Sequence, residues 1–140
     1  MENVNQLQLV SYETAKKLKE VGFDWRCNIG YSFEGKLVES SYLNSKIKDK
    51  IFLFNNSDNK NAYSAPTLAL VQKWLREVHN IIIISYPSLE FYNVTDDISD
   101  DFWNYQIWNT YENISIEDNS FKTYEEALSA GIIEALKLIE

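Results

Sequence analysis

Asp96, Asp97, Asp100 and Asp101, set around Ile98 and Ser99, form the densest group of oxygen donors in this 140-residue chain. A hard divalent cation takes several such ligands from one short loop. A calcium loop, however, needs glycine at its sixth position and a bidentate glutamate at its twelfth, and Asp101 and Ile107 stand there instead. No metal site is therefore expected, and the run reads as a field of carboxylates. His79 is the only histidine and Cys27 the only cysteine. Cys27 falls on an inferred apolar face with Trp25 and Ile29, away from any histidine that would activate it. His79 falls in the last turn of a helix, where an imidazolium would favour the carbonyl end. No zinc spacing is available. Gly22, Gly30, Gly35 and Gly131 are too scattered to build a phosphate-cradling loop. The expectation is a non-enzymatic protein with no catalytic, cofactor-binding or metal-binding residues and no cofactor.

The charge is unevenly distributed. Residues 80–121 hold eight Asp or Glu and no Lys or Arg, against a net charge of −8 for the whole chain. The same stretch carries Phe91, Tyr92, Phe102, Trp103, Tyr105, Trp108 and Tyr111, so acids and large rings are interleaved. If residues 102–111 form a strand, Trp103, Tyr105, Ile107 and Tyr111 share one side, and Phe102, Asn104, Gln106 and Trp108 the other. One side meets the core, leaving Phe102 and Trp108 partly exposed beside carboxylates, and such rings are over-represented at binding hot spots. The partner-binding set read from the sequence is Asp96, Asp97, Asp100, Asp101, Phe102, Trp108 and Glu112, and the partner it implies is a basic protein. Direct nucleic-acid binding by this surface is disfavoured, because phosphates would meet carboxylates. The competing reading is a solvated acidic loop beside ordinary sheet packing. Two further functional readings stay open: a structural or assembly component acting as a homo-oligomer through an edge strand or aromatic patch, and a small enzyme whose groups converge only in space.

The elements that would position these residues follow from capping and periodicity. Ser11 caps a helix over residues 12–21, with Val10 stapled onto Ala15 and Gly22 as the left-handed stop. Trp25, Cys27, Ile29, Tyr31 and Phe33 alternate with polar residues as in a half-buried strand, and Glu34-Gly35 turns it. Residues 37–43 and 51–54 read as further strands, and 55–61 as a polar loop. A second helix opens at Pro66 or Thr67, with Leu68, Val71, Trp74, Leu75 and Val78 inward and Gln72, Lys73, Arg76 and Glu77 outward, and ends at Asn80. Residues 81–86 have the β-branched run of a central strand, with 90–94 as its return partner after Pro87-Ser88. Strands follow at 102–110 and 114–116, with a turn at Asp118-Asn119-Ser120. Thr123 and Glu126 make a capping box for the last helix. Its inward face is Ala127, Leu128, Gly131, Ile132, Ala135, Leu136 and Ile139, with Gly131 placed for close backbone approach. The order α-β-β-(β)-α-β-β-β-α predicts an α+β fold in one domain, a mainly antiparallel sheet with three helices packed on one face. Ser11-Tyr12-Glu13-Thr14-Ala15 echoes Thr123-Tyr124-Glu125-Glu126-Ala127, which would fit an internal duplication, but both are helix starts and capping chemistry alone selects such residues, so coincidence is the favoured reading.

Tyr63-Ser64-Ala65-Pro66-Thr67 running into Gln72-Lys73-Trp74-Leu75-Arg76-Glu77-Val78-His79-Asn80, together with the segment from Thr123-Tyr124-Glu125-Glu126-Ala127 to Glu134-Ala135-Leu136-Lys137-Leu138, resembles small uncharacterised proteins of Bacteroides-type phages and prophages. Glu13-Thr14-Ala15 to Gly22-Phe23-Asp24-Trp25 looks similar too. The resemblance implies a phage context and carries no site residues. A lone cysteine, the lack of a basic and apolar leader in residues 1–10, and a longest aliphatic run of only Ile81-Ile82-Ile83-Ile84 predict a reducing compartment with no membrane partner, which the phage resemblance implies is the bacterial cytoplasm.

Overall fold

Local chemistry sets the helix ends. The Ser11 hydroxyl accepts the Thr14 amide proton at 3.2 Å, starting α1 (Tyr12–Glu20). Gly22 turns it off at φ +92°, with the Phe23 and Gly22 amides closing back on the Leu18 and Lys19 carbonyls, a Schellman stop. The computed structural model describes residues 8–39, 62–88, 103–109 and 114–139. Its contacts divide the chain into two units, Met1–Thr67 and Leu68–Glu140.

In the first unit, α1 is followed by β1 (Ile29–Ser32), β2 (Leu37–Glu39) and β3 (Ala62–Ser64). They form an antiparallel sheet in the order β2-β1-β3. The β1–β2 turn closes where the Gly35 amide donates to the Ser32 carbonyl, with Gly35 at φ +86°. The alternation holds in exposure only from Asp24 to Asn28, where Cys27 is buried and Asp24, Arg26 and Asn28 are exposed; within β1 it fails, since Gly30, expected outward, is buried and Ile29, Tyr31 and Ser32 are half-buried alike. Phe33, also expected inward, is 66% exposed because the chain is already turning there. β3 was not expected. It is three residues long, too short for periodicity to mark, and exists by pairing with β1. The expected strand at 51–54 and the loop at 55–61 lie outside the described residues, as do residues 40–43 of the expected 37–43 strand.

The second unit runs α2 (Leu68–His79), β4 (Ile81–Pro87), β5 (Trp103–Asn109), β6 (Ile114–Phe121) and α3 (Tyr124–Lys137). Asn80, at φ +57°, ends α2 and lets β4 start at the next residue. The strands form an antiparallel sheet in the order β4-β5-β6. Helix α3 covers one side. Its Gly131 lies so close to the sheet that a Cβ there would sit 2.9 Å from Ile83 Cγ2 and 3.2 Å from Tyr105 Cγ. The α3 start has the capping half of the expected box, the Thr123 hydroxyl accepting the Glu126 amide at 3.0 Å, while the Glu126 carboxylate accepts at 3.1 Å from the amide of Lys122, one residue before the cap, instead of from that of Thr123.

The α+β class and the element order are as the sequence implied, but the strands make two small sheets, one in each unit. The units also differ in topology: the first strand is central in one and the second in the other, which gives the repeated Tyr-Glu helix start no structural counterpart. Three further readings are corrected. Among the described residues the central strand is β5, and the isoleucine run of β4 lies at the sheet's side, since β-branched residues fit any pleated, half-covered surface. Asp118-Asn119-Ser120 does not turn the chain but stays in β6. There three residue steps on β6 (Asp118 to Phe121) match two on β5 (Tyr105 to Trp103), and turn-forming residues suit the resulting bulge. Val78 faces solvent, and Gln72, expected outward, donates from Nε2 to the Ile83 carbonyl at 2.7 Å.

Candidate functional site

Because side chains alternate across a strand, the register of the second sheet sorts its residues into two faces. Ile81, Ile83, Tyr105 and Ile107 lie on the side that α3 covers and are all buried. On the other face, Ile82 stands opposite Trp108, Ile84 opposite Gln106, and Tyr86 opposite Asn104. One strand further, Trp108 faces Ser115 and Gln106 faces Glu117. Ile82, Ile84 and Trp108 are 36%, 43% and 44% exposed. Three large apolar side chains on adjacent positions of one open sheet face form a patch of the kind that marks interaction surfaces.

One polar chain borders this patch. The Tyr86 phenol, on β4, donates to Oε1 of Glu117, on β6. These strands are two spacings apart, roughly 9.5 Å, so the tyrosine crosses over β5. That crossing explains why Asn104, a polar residue on the open face, is only 7% exposed. Its amide hydrogen-bonds to the same phenol. Burial first, then the hydrogen bond and charge of Glu117, push the Tyr86 phenol up to about 12, so it stays protonated and keeps donating.

Trp108 stands where the sequence placed it, exposed on the open face. Asp96, Asp97, Asp100, Asp101, Phe102 and Glu112 lie outside the described residues. Ile82, Ile84, Tyr86 and Glu117 were not foreseen as a group. The signal was present in residues 81–87 and 103–109: pairing these two runs antiparallel puts the exposed tryptophan opposite an isoleucine. The sequence reading gave 81–86 a return partner at 90–94, which lies outside the described residues, and did not weigh 103–109 as its neighbour. Charge follows the unit boundary. Residues 68–140 carry four Lys or Arg against thirteen Asp or Glu, a balance of −9, while residues 1–67 carry nine against eight, +1.

The other chemical candidates have structural employment. Cys27 is buried, and desolvation raises its thiol to about 11, so it is a packing residue. The His79 ring sits edge-on to Trp74 at 4.6 Å, and burial lowers its pKa. It is therefore neutral at pH 7, which removes the charge expected of it at the end of α2. In the first unit, Lys16, Lys19, Glu20 and Tyr63 line an open hollow of about 330 Å³. The Lys19 ammonium there already donates to the Ala62 carbonyl at 2.9 Å and lies 5.3 Å from the centre of the Tyr63 ring, and Glu20 pairs with Lys17. The two Lys19 contacts tie α1 to β3. Among the described residues no three His, Cys, Asp or Glu side chains gather as a metal-holding group, and no helix is long and apolar enough to cross a membrane. No protein-family profile, characterised protein or solved structure matches the chain.

Proposed function

We propose that the chain is a non-enzymatic protein-interaction module that binds a basic protein partner on the open face of the β4-β5-β6 sheet, in a phage or prophage setting within the bacterial cytoplasm. The observation that carries this reading is the exposed row of Ile82, Ile84 and Trp108 on a unit with a charge balance of −9. Apolar anchors supply affinity once water is excluded from them, and the surrounding negative potential selects a cationic partner and speeds encounter. The phage setting rests on the resemblance of the helix-bearing segments alone.

Site-specific photo-crosslinking tests the reading. A photoreactive phenylalanine analogue at position 84 should capture a protein with a basic segment, and the same group at Lys73, on the exposed side of α2, should not. Trp108→Ser should cut the position-84 adduct roughly tenfold, the size of a lost hot-spot side chain. About 0.5 M salt should weaken it as well, by screening. Equal adducts from the two positions, or indifference to Trp108→Ser, would count against the surface. Adducts only to a second copy of the chain would replace the basic partner by a homo-oligomer.

A further inference from the structure

The open face also specifies which cation it would take, an inference that rests on the reading above. β4, β5 and β6 contain no Lys or Arg, and among the described residues Glu117 has no cationic partner. Glu13, Glu20, Glu34, Glu77 and Glu134 each pair with a lysine. Glu117 is instead held by an uncharged donor, the Tyr86 phenol, which is itself held by Asn104. A carboxylate has about four acceptor positions on its two oxygens, so one hydrogen bond orients it and leaves most of its acceptor capacity facing solvent. Orientation in advance lowers the entropy lost on binding.

Trp108 lies diagonally across from Glu117, two residues along the β5–β6 ladder and next to it on the same face, where Cβ atoms are about 7 Å apart. An exposed indole face and a fixed carboxylate at that spacing fit a planar cation that stacks and donates at its edge. We propose that this face binds an arginine of the partner, its guanidinium stacked on the Trp108 indole and hydrogen-bonded to the Glu117 carboxylate, with apolar neighbours of that arginine resting on Ile82 and Ile84. Lysine fits less well, because a compact, strongly hydrated ammonium neither stacks nor forks. A second copy of the same face would offer Glu117 no cation, since β4, β5 and β6 carry no Lys or Arg.

The experiment uses the purified chain and three blocked tripeptides: acetyl-Leu-Arg-Leu-amide, its lysine counterpart, and its citrulline counterpart, which keeps the planar shape and loses the charge. Nitrogen-correlated NMR of the tryptophan indoles reads Trp108 directly, with Trp108→Phe assigning its signal, and methyl spectra read Ile82 and Ile84. The arginine peptide should move all three with an affinity about fivefold tighter than either counterpart. Glu117→Gln should abolish that preference while leaving the other indole signals in place, which shows that the fold is intact. Tyr86→Phe should reduce the preference about threefold by releasing Glu117. If Trp108, Ile82 and Ile84 respond equally to arginine and citrulline peptides, or Glu117→Gln leaves the preference unchanged, the arginine site falls and the interaction surface stands. If none of the three residues responds to any peptide, both fall.

Discussion

Replacing Gly131 by alanine sets two effects of opposite sign against each other. In an exposed helix the change should stabilise by about 1 kcal/mol, because alanine loses less backbone entropy. Here the added Cβ would lie 2.9 Å from Ile83 Cγ2, with Tyr105 Cγ and Cβ at 3.2 and 3.3 Å. Neither neighbour can yield easily. The Ile83 contact is a branch atom of a side chain buried to 2% exposure, and the Tyr105 atoms lie at the root of a ring buried to 3%. Relief therefore requires α3 to rise from the sheet, and overpacking of this kind costs about 1–3 kcal/mol. The balance is a net loss of about 1 kcal/mol for Gly131→Ala and a larger one for Gly131→Val. Urea unfolding of the full chain, followed by far-ultraviolet circular dichroism, should show the midpoint falling in that order with an unchanged slope. The paired control is Gly22, which has nothing within 4 Å of a would-be Cβ but a φ of +92°. Gly22→Ala should destabilise through backbone strain alone, about 1–2 kcal/mol. A rise in midpoint for Gly131→Ala would refute the seating of α3 on Ile83 and Tyr105.

Three other outcomes follow from the same structure. Burial lowers the His79 pKa below its ordinary 6.5, and its Nε2 has no hydrogen-bond partner among the described residues. The unfolded chain therefore binds this proton more readily than the folded one. Stability should be full above pH 6.5 and decline as the pH falls from there toward the folded-state value, and His79→Gln should flatten that part of the profile of urea midpoint against pH. Thr123→Ala should cost about 1 kcal/mol by removing the cap of α3, whereas Thr123→Ser should restore most of it; equal losses would show that the hydroxyl is not the stabilising group. Cys27, with its thiol raised to about 11, should react with a disulfide reagent at pH 8 far more slowly in the native chain than in urea, and similar rates would contradict its burial.

What the sequence made legible was whatever neighbouring residues decide. Ser11, Gly22, Asn80 and the Thr123–Glu126 pair act over three or four positions, and the structure has all of them in their expected places. The close approach at Gly131 was legible for a related reason. Alanine is the better helix former, so a lone glycine on an apolar helix face points to a neighbour that leaves no room for a methyl group. Partners distant in sequence were not legible. The run Ile81-Ile82-Ile83-Ile84 marks a strand, but its composition does not say whether one face or both are covered. Only pairing with β5 and coverage by α3 reveal that alternate isoleucines remain in solvent. The bulge in β6 was hidden similarly, because Asp-Asn-Ser suits a turn and a bulge equally.

The same distinction bears on the candidate site. Trp108 could be placed on an open face from alternation within its own strand, without knowledge of its neighbours. Glu117 looked like one acid among many until the register put Tyr86 within reach of it across an intervening strand. Its setting is what separates it from the other carboxylates: it is oriented by a neutral phenol, whereas the ion-paired glutamates are already satisfied by their own lysines. A surface carboxylate with a nearby lysine gains little from a second cation, because exposed pairs are worth only about 0–1 kcal/mol and compete in water. One that is oriented but unneutralised, beside an exposed indole, has more to gain from an incoming positive charge. On the proposed reading, specificity on this face comes less from the size of the unit's negative charge than from the fixed position of one carboxylate among apolar side chains.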